Sequence, residues 1–433
     1  MSETEQAMIE RLEGEARQRD ADDPIASFRN EFHIPCAPEG QEEIYFVGNS
    51  LGLQPKITRD YVLQELDAWE MHGVRGHFQG EFPWMPYHEF LTEAMAEVVG
   101  AQANEVVVMN TLTVNLHLMM ASFYRPEGIR NKILLERQAF PSDHYAVESQ
   151  IKWHGLDPEN CMLFVEPESG GSTITTEQIC QTIRQHRDAL AVILLPGVQY
   201  YTGQVFDMRS ITEVAHECGV RVGFDLAHAA GNIPLQLTEW DVDFACWCSY
   251  KYLNSGPGSI GGCFVNSRHA SDVDFPRLAG WWGHDKASRF MMDNNFLPMA
   301  TAEGWQLSNP PILSLAAVRA SLDIFQRVGG VGVLRQKSVE LTGFFEKCLV
   351  GLLPEEVQIL TPADSRWRGC QLSLQIQLRD ILGKTVFDRL EAAGIRTDWR
   401  EPDVIRAAPV PLYNSYQEVY RFVIELKRLL SGG

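Results

Sequence analysis

Between residues 105 and 265 the chain alternates short, almost wholly apolar runs with stretches whose apolar positions recur every three or four residues. The runs over 105–110, 132–136, 162–165, 191–195, 220–224 and 244–248 have strand length, and their lack of polar alternation fits strands covered on both faces. The stretches over 111–117, 176–187 and 211–218 have helical spacing, so the rhythm predicts βαβ units and a largely parallel sheet. Helices are expected over 58–71 and over 312–328, the second just after Pro310 and Pro311. Beyond residue 331 the pattern becomes that of a smaller α+β unit, with a helix to 353, strands over 357–360, 370–378 and 404–407, and a helix over 384–393. The last helix opens on Ser415-x-x-Glu418, a capping box, and repeats apolar residues at Val419, Phe422, Val423, Leu426 and Leu430. Residues 1–27 read as a charged helix with little to bury, suited to a docking arm. The expected division is therefore an N-terminal segment over 1–55, a large domain over 56–311 and a small C-terminal domain over 312–433.

Composition narrows the function classes. With 433 residues, 45% hydrophobic and 22% charged, the chain has the make-up of a globular protein with a sizeable core. It holds no apolar run of about 18 residues, the length a membrane helix needs, so no membrane span is expected. Lys and Arg number 37 against 57 Asp and Glu, and the formal net charge of -20 argues against a nucleic-acid or anionic-membrane partner. The first twenty residues have neither the apolar centre of a secretion signal nor the Arg-rich, acid-poor look of a transit peptide, and a cytoplasmic location is the expectation. Nine cysteines, an odd number without paired metal spacing, point to reduced buried thiols and to no metal centre.

Candidate chemistry gathers where two apolar strands end. Asp225 and His228 follow the strand over 220–224, and Tyr250 and Lys251 follow the strand over 244–248. Open α/β sheets bind ligands at the carboxyl ends of their strands. A carboxylate, an imidazole, a phenol and an amine there match the needs of pyridoxal phosphate, which takes a Schiff-base lysine, an acid against its pyridine nitrogen and donors for its phosphate. An aspartate keeps that nitrogen protonated and makes the ring an electron sink, a role open to Asp225. The strand over 105–110 runs straight into a helix, and the free N–H groups of a helix start bind anions, which makes Leu112 and Thr113 phosphate candidates. Thr111 or Thr113 serves equally well as a plain N-cap. Phe140, at the end of another strand and followed by Pro-Ser-Asp143, offers a ring to stack on a planar group. Gly256-Pro-Gly-Ser-Ile-Gly261 matches G-x-G-x-x-G but precedes a strand pattern, so it is not read as a dinucleotide fingerprint. The aromatic and histidine-rich segment over 72–88, which includes His77, fits either a packed connection or a substrate-lining loop.

The strings FDLAHAAGN and DFACWCSYKYLNSGPG, with GNSLGLQPK, NTLTVNLH, FPSDHYA, GVQYYTGQ, GWWGH, SNPP and RAAPVPLYNS in the same order, closely resemble the kynureninase family. That family uses pyridoxal phosphate on the fold type I, class V aminotransferase scaffold, so the resemblance implies a seven-stranded, mostly parallel sheet flanked by helices. It implies Lys251 as the Schiff-base lysine, Asp225 as the pyridine partner with His228 adjoining, and Leu112, Thr113 and Tyr250 on the phosphate. Phe140 would stack on the ring, with Ser142 and Asp143 nearby. Trp281 and Asn309 would complete the site of a partner subunit in a homodimer. His77, Ser50 and Asn309 would face the aromatic end of the substrate, and Arg406 its carboxylate. The reaction implied is hydrolysis of L-kynurenine or its 3-hydroxy form to an anthranilate and L-alanine in tryptophan catabolism, with Tyr250 as acid/base. Two rivals remain. A cysteine desulfurase-like lyase would want His before the lysine and a mobile nucleophilic Cys, where this chain has Tyr250 and a Cys370 opening an apolar strand. A non-catalytic dimeric scaffold would not need Asp225, Lys251 and Arg406 together.

Overall fold

The computed structural model describes residues 3–37, 40–292, 294–378 and 382–431. The chain forms two units: one comprises 1–57, 199–205 and 324–433, the other 58–198 and 206–323. The boundary at residue 323 falls inside the helix Ile312–Val328 rather than at the prolines before it.

The larger unit is built on a seven-stranded sheet in the order Val106–Val108, Gly262–Val265, Phe244–Trp247, Arg221–Asp225, Leu190–Pro196, Lys132–Glu136, Met162–Val165. Gly262–Val265 is antiparallel to both neighbours, and the other pairings are parallel. The strand after the glycine-rich match is thus a returning strand, as its pattern indicates. Phe244 and Trp247 are fully buried, and each such side chain contributes about 1.5–3 kcal/mol by leaving water. Gly223 has no alternative in its strand, since a Cβ there would stand 2.1 Å from the ring of Phe244 on the next strand. Helices Leu112–Phe123 and Pro141–Trp153 pack against each other over a core that includes Leu116, Met119, Phe123, Val147 and Ile151.

The amino ends of two central strands are pinned by one carboxylate. Asp243 accepts hydrogen bonds from His216 (3.0 Å), His269 (2.7 Å), Arg268 (2.6 Å) and the Val222 amide (2.8 Å). Burial alone pushes its carboxyl up, but the bonds from His216, His269 and Arg268 outweigh burial and hold it well below the ordinary carboxylate range. A carboxyl depressed in the folded state stabilises the fold above the unfolded value, near about 3.9, and that stability drains away as pH falls toward the folded value. Asp243→Asn is expected to cost about 1.5–3 kcal/mol at pH 7. The gap in thermal midpoint between variant and parent should narrow below about pH 4, and a gap independent of pH would show that charge is not the cause.

The smaller unit carries an antiparallel sheet in the order Asp398–Arg400, Val404–Ala407, Leu372–Ile376, Val357–Ile359. Helices Gly330–Leu352 and Tyr416–Ser431 share its core, where Phe345, Leu349, Phe422 and Leu426 are buried. The capping box forms as the sequence predicts: the Glu418 amide donates to Ser415 Oγ at 3.1 Å and Glu418 Oε2 accepts from the Ser415 amide at 3.0 Å. The N-terminal helix Glu3–Asp22 is more than an arm. Leu12 and Ala16 enter the same core, and Asp20 accepts from the amides of Tyr416 (2.7 Å) and Gln417 (3.0 Å) at the start of the last helix. None of the described helices is long and apolar enough to cross a membrane.

Candidate cofactor and substrate site

In the larger unit the carboxyl ends of successive strands deliver most of the expected residues. Arg221–Asp225 ends on Asp225, 6% exposed, whose Oδ1 accepts the Ala227 amide at 2.7 Å and so closes the turn that leads to His228. Phe244–Trp247 leads to Tyr250 and Lys251, and the Lys251 Nζ lies 2.9 Å from His228 Nε2. Lys132–Glu136 leads to Phe140, the N-cap of Pro141–Trp153, which places the buried Asp143 in that helix's first turn. Burial, then the charge of Asp225 and a hydrogen bond to it, push the Asp143 carboxyl well above the carboxylate range. Burial raises Asp225 too, while the Ala227 amide, Lys251 and the bond from Asp143 pull the other way. Both carboxyls are thus raised, and Asp143, which has the charge of Asp225 beside it, is the member that holds a proton more readily. Burial also raises Tyr250, followed by its neighbour Cys248, so its hydroxyl stays a protonated donor.

Val106–Val108 leads through Asn110, held in the left-handed region at φ 48°, into the helix Leu112–Phe123. No side chain caps that helix start; the Thr113 hydroxyl instead meets Ser142 Oγ at 2.9 Å. Asn309 is exposed and lines a cavity of about 430 Å³ together with Asn110, Thr111 and Val114. Trp281 is 45% exposed, its indole N–H donating to the Arg289 carbonyl at 3.1 Å. His77 is half-buried, with Nδ1 3.0 Å from the Val74 carbonyl and its ring edge-on to Trp84 at 5.3 Å.

The other two expected substrate residues belong to the smaller unit, where one hydrogen-bond network joins their neighbourhoods. Arg406, 1% exposed, donates to the Tyr200 carbonyl at 2.6 Å and to Asp398. Gln371 Nε2 reaches the same Tyr200 carbonyl at 3.1 Å, and its Oε1 accepts from Asn49, the neighbour of the exposed Ser50, at 2.9 Å. The sequence alone singles out neither Gln371 nor Asp398, and it marks Asn49 only as part of the turn between Gly48 and Gly52.

The donor set fits pyridoxal phosphate. An amine lies beside an imidazole, a buried carboxylate stands at the end of the neighbouring strand, and the N-cap side chain leaves a helix start uncapped.

Residues 45–338 match the aminotransferase class-V family and residues 334–426 the kynureninase C-terminal domain. Among solved structures, C-DES with glycine covalently linked to its PLP cofactor superposes with a TM-score of 0.77 at 17% identity, covering 92% of this chain and 98% of that one. A cysteine desulfurase from Thermococcus onnurineus gives 0.72 at 17%, with 90% and 95% covered, so both define the fold alone. Fold and donor set together define a pyridoxal-phosphate enzyme of the class-V aminotransferase type. A kynureninase from Koribacter versatilis is 55% identical over 417 residues, 96% of this chain and 97% of that protein, and one from Xanthomonas campestris is 53% identical with 93% and 95% covered. The chain belongs to the kynureninase family.

Proposed function

We propose that the protein hydrolyses L-kynurenine or 3-hydroxy-L-kynurenine to the corresponding anthranilate and L-alanine, acting as a cytoplasmic homodimer in tryptophan catabolism. The observation that carries this reading is identity above half over nearly the whole chain with kynureninases. Bound pyridoxal phosphate supplies a covalent anchor for the substrate amine and an electron sink beside its Cα. Lys251 anchors the cofactor, then takes and returns the Cα proton; His228, 2.9 Å away, orients its amine. Asp225 holds its charge against the pyridine nitrogen, and the protonated Asp143 fixes that carboxylate in place. The amides of Leu112 and Thr113 with the hydroxyls of Thr113 and Tyr250 receive the phosphate, Ser142 supports Thr113, and Phe140 stacks on the ring. Tyr250 donates protons during cleavage of the Cβ–Cγ bond. Trp281 and Asn309, both exposed, complete the partner's site. The desulfurase-like alternative wants a mobile cysteine, and Cys370 is 1% exposed. The direct test is incubation of cofactor-loaded protein with each kynurenine: equimolar anthranilate and alanine support the reading, and their absence ends it.

Arg406 receives the substrate carboxylate, a two-pronged contact that a lysine cannot copy. Arg406→Lys is expected to lose about 1.5–3 kcal/mol in kcat/KM with an unchanged cofactor spectrum. A changed spectrum with normal kinetics would move Arg406 to the cofactor. His77, Asn309 and Ser50 face the aromatic end, where polar groups pairing with a ring hydroxyl penalise the substrate that lacks it. The kcat/KM ratio for the two kynurenines should therefore shift in a His77→Trp, Asn309→Thr double variant, and an unmoved ratio removes both residues from substrate choice.

A further inference from the structure

We infer that Asp398 is a positioning residue for Arg406, fixing the guanidinium in the plane that receives the α-carboxylate of the amino-acid substrate; this rests on the reading of Arg406 given above. The two residues are direct cross-strand partners, Asp398 on Asp398–Arg400 and Arg406 on Val404–Ala407. On the other side of Arg406 its partner is Ser373 of Leu372–Ile376. Directly opposed residues of antiparallel strands project from the same face, so the three side chains form one row across the sheet.

Each end of that row grips the guanidinium. One terminal nitrogen bonds the Asp398 carboxylate, and the other bonds the Tyr200 carbonyl at 2.6 Å. The segment holding that carbonyl is itself hung from the Ser373 strand, because Ser373 Oγ donates to the Tyr201 carbonyl at 2.5 Å and Gln371 Nε2 reaches Ser373 Oγ at 3.0 Å. A planar, delocalised cation bonded at both terminal nitrogens cannot turn out of its plane without breaking one bond.

Asp398 is shared, since Arg400 also binds it at 3.1 Å. Two guanidinium groups face that carboxylate: Arg406, 1% exposed, and Arg400, whose side chain is 36% exposed. Asp398 sets the direction from which Arg406 meets the substrate carboxylate.

The experiment uses cofactor-loaded enzyme with L-kynurenine as substrate and its decarboxylated amine as a competitive inhibitor. Asp398→Ala is expected to raise KM by about tenfold or more while kcat changes by less than about threefold, a loss confined to substrate binding. Asp398→Asn keeps a carbonyl acceptor and should fall between Asp398→Ala and the parent; Asp398→Glu should recover part of the loss. Inhibition by the amine, which has no carboxylate for Arg406, should stay within about twofold of the parent. A KM near the parent value in the Ala variant overturns the inference, and so does equal weakening of substrate and amine, which would make Asp398 merely structural. If the Ala variant does not fold, Asp398→Asn carries the same comparison. Arg406→Lys, measured alongside, separates the two levels. An unchanged KM there removes Arg406 itself as the carboxylate receptor, whereas a raised KM there with normal Asp398 variants removes only Asp398.

Discussion

Lys251→Ala is expected to leave a folded protein that binds pyridoxal phosphate without covalent attachment and turns over at least about 10⁴-fold more slowly. One substitution removes both the anchor and the base at Cα, and a positioned base alone accounts for about 10²–10⁴ in rate. The fold should survive, because Lys251 is only partly buried and its partner among the expected site residues, His228, remains held through its backbone carbonyl by Asn232 at 2.9 Å. Borohydride treatment followed by peptide mapping checks the assignment: the parent should carry cofactor on the peptide containing Lys251 and the variant on none. Cofactor fixed to another lysine of the variant would assign the anchor there.

The sequence singles out Asp225 and Lys251 because each follows a short, largely apolar run, and such a run predicts both a buried strand and a ligand at its carboxyl end. The large sheet was legible for the same reason. Helix Pro141–Trp153 was passed over although Pro141 sits at its first position, since Phe140-Pro-Ser-Asp143 reads as a strand end and its polar face masks the period. Helix Glu89–Val99 was hidden behind the aromatic run over 72–88, though Gly100 marks its end. That glycine takes φ 61° as the helix cap, and a Cβ on it would stand 1.9 Å from the Leu235 carbonyl. The Asp398–Arg406–Ser373 row could not be read at all: 398–400 is too short to announce itself as a strand, and partners across a sheet follow from register, which depends on the whole small unit. Asp143 enters the candidate site only through the family resemblance, and its coupling to Asp225 needs the distance between two segments that are 82 positions apart in sequence.

Asp225→Asn is expected to retain cofactor yet lose at least about 10³-fold in kcat, because an amide cannot hold the pyridine nitrogen protonated and the electron sink beside Cα depends on that proton. The neighbouring carboxyl should respond in a defined direction. The charge on Asp225 and the bond to it are what raise Asp143 beyond the effect of burial. With a neutral amide in their place the Asp143 carboxyl falls back toward the level that burial alone sets, and it ionises at lower pH than in the parent. Asp143→Asn acts in the opposite sense on its partner: Asp225 loses a donor that lowered it and so rises, yet it remains the anion nearest the ring. Turnover in Asp143→Asn should accordingly fall by less than about tenfold at pH 8, with the loss growing as pH decreases through the raised Asp225 value. The measurement is kcat from pH 5 to pH 9 for both variants, with cofactor affinity determined separately by spectrophotometric titration. Parent-like turnover in Asp225→Asn would remove that carboxylate from the mechanism. Equal, pH-independent losses in the two variants would show that the pair acts as a single unit and that the proton has no preferred residence on Asp143.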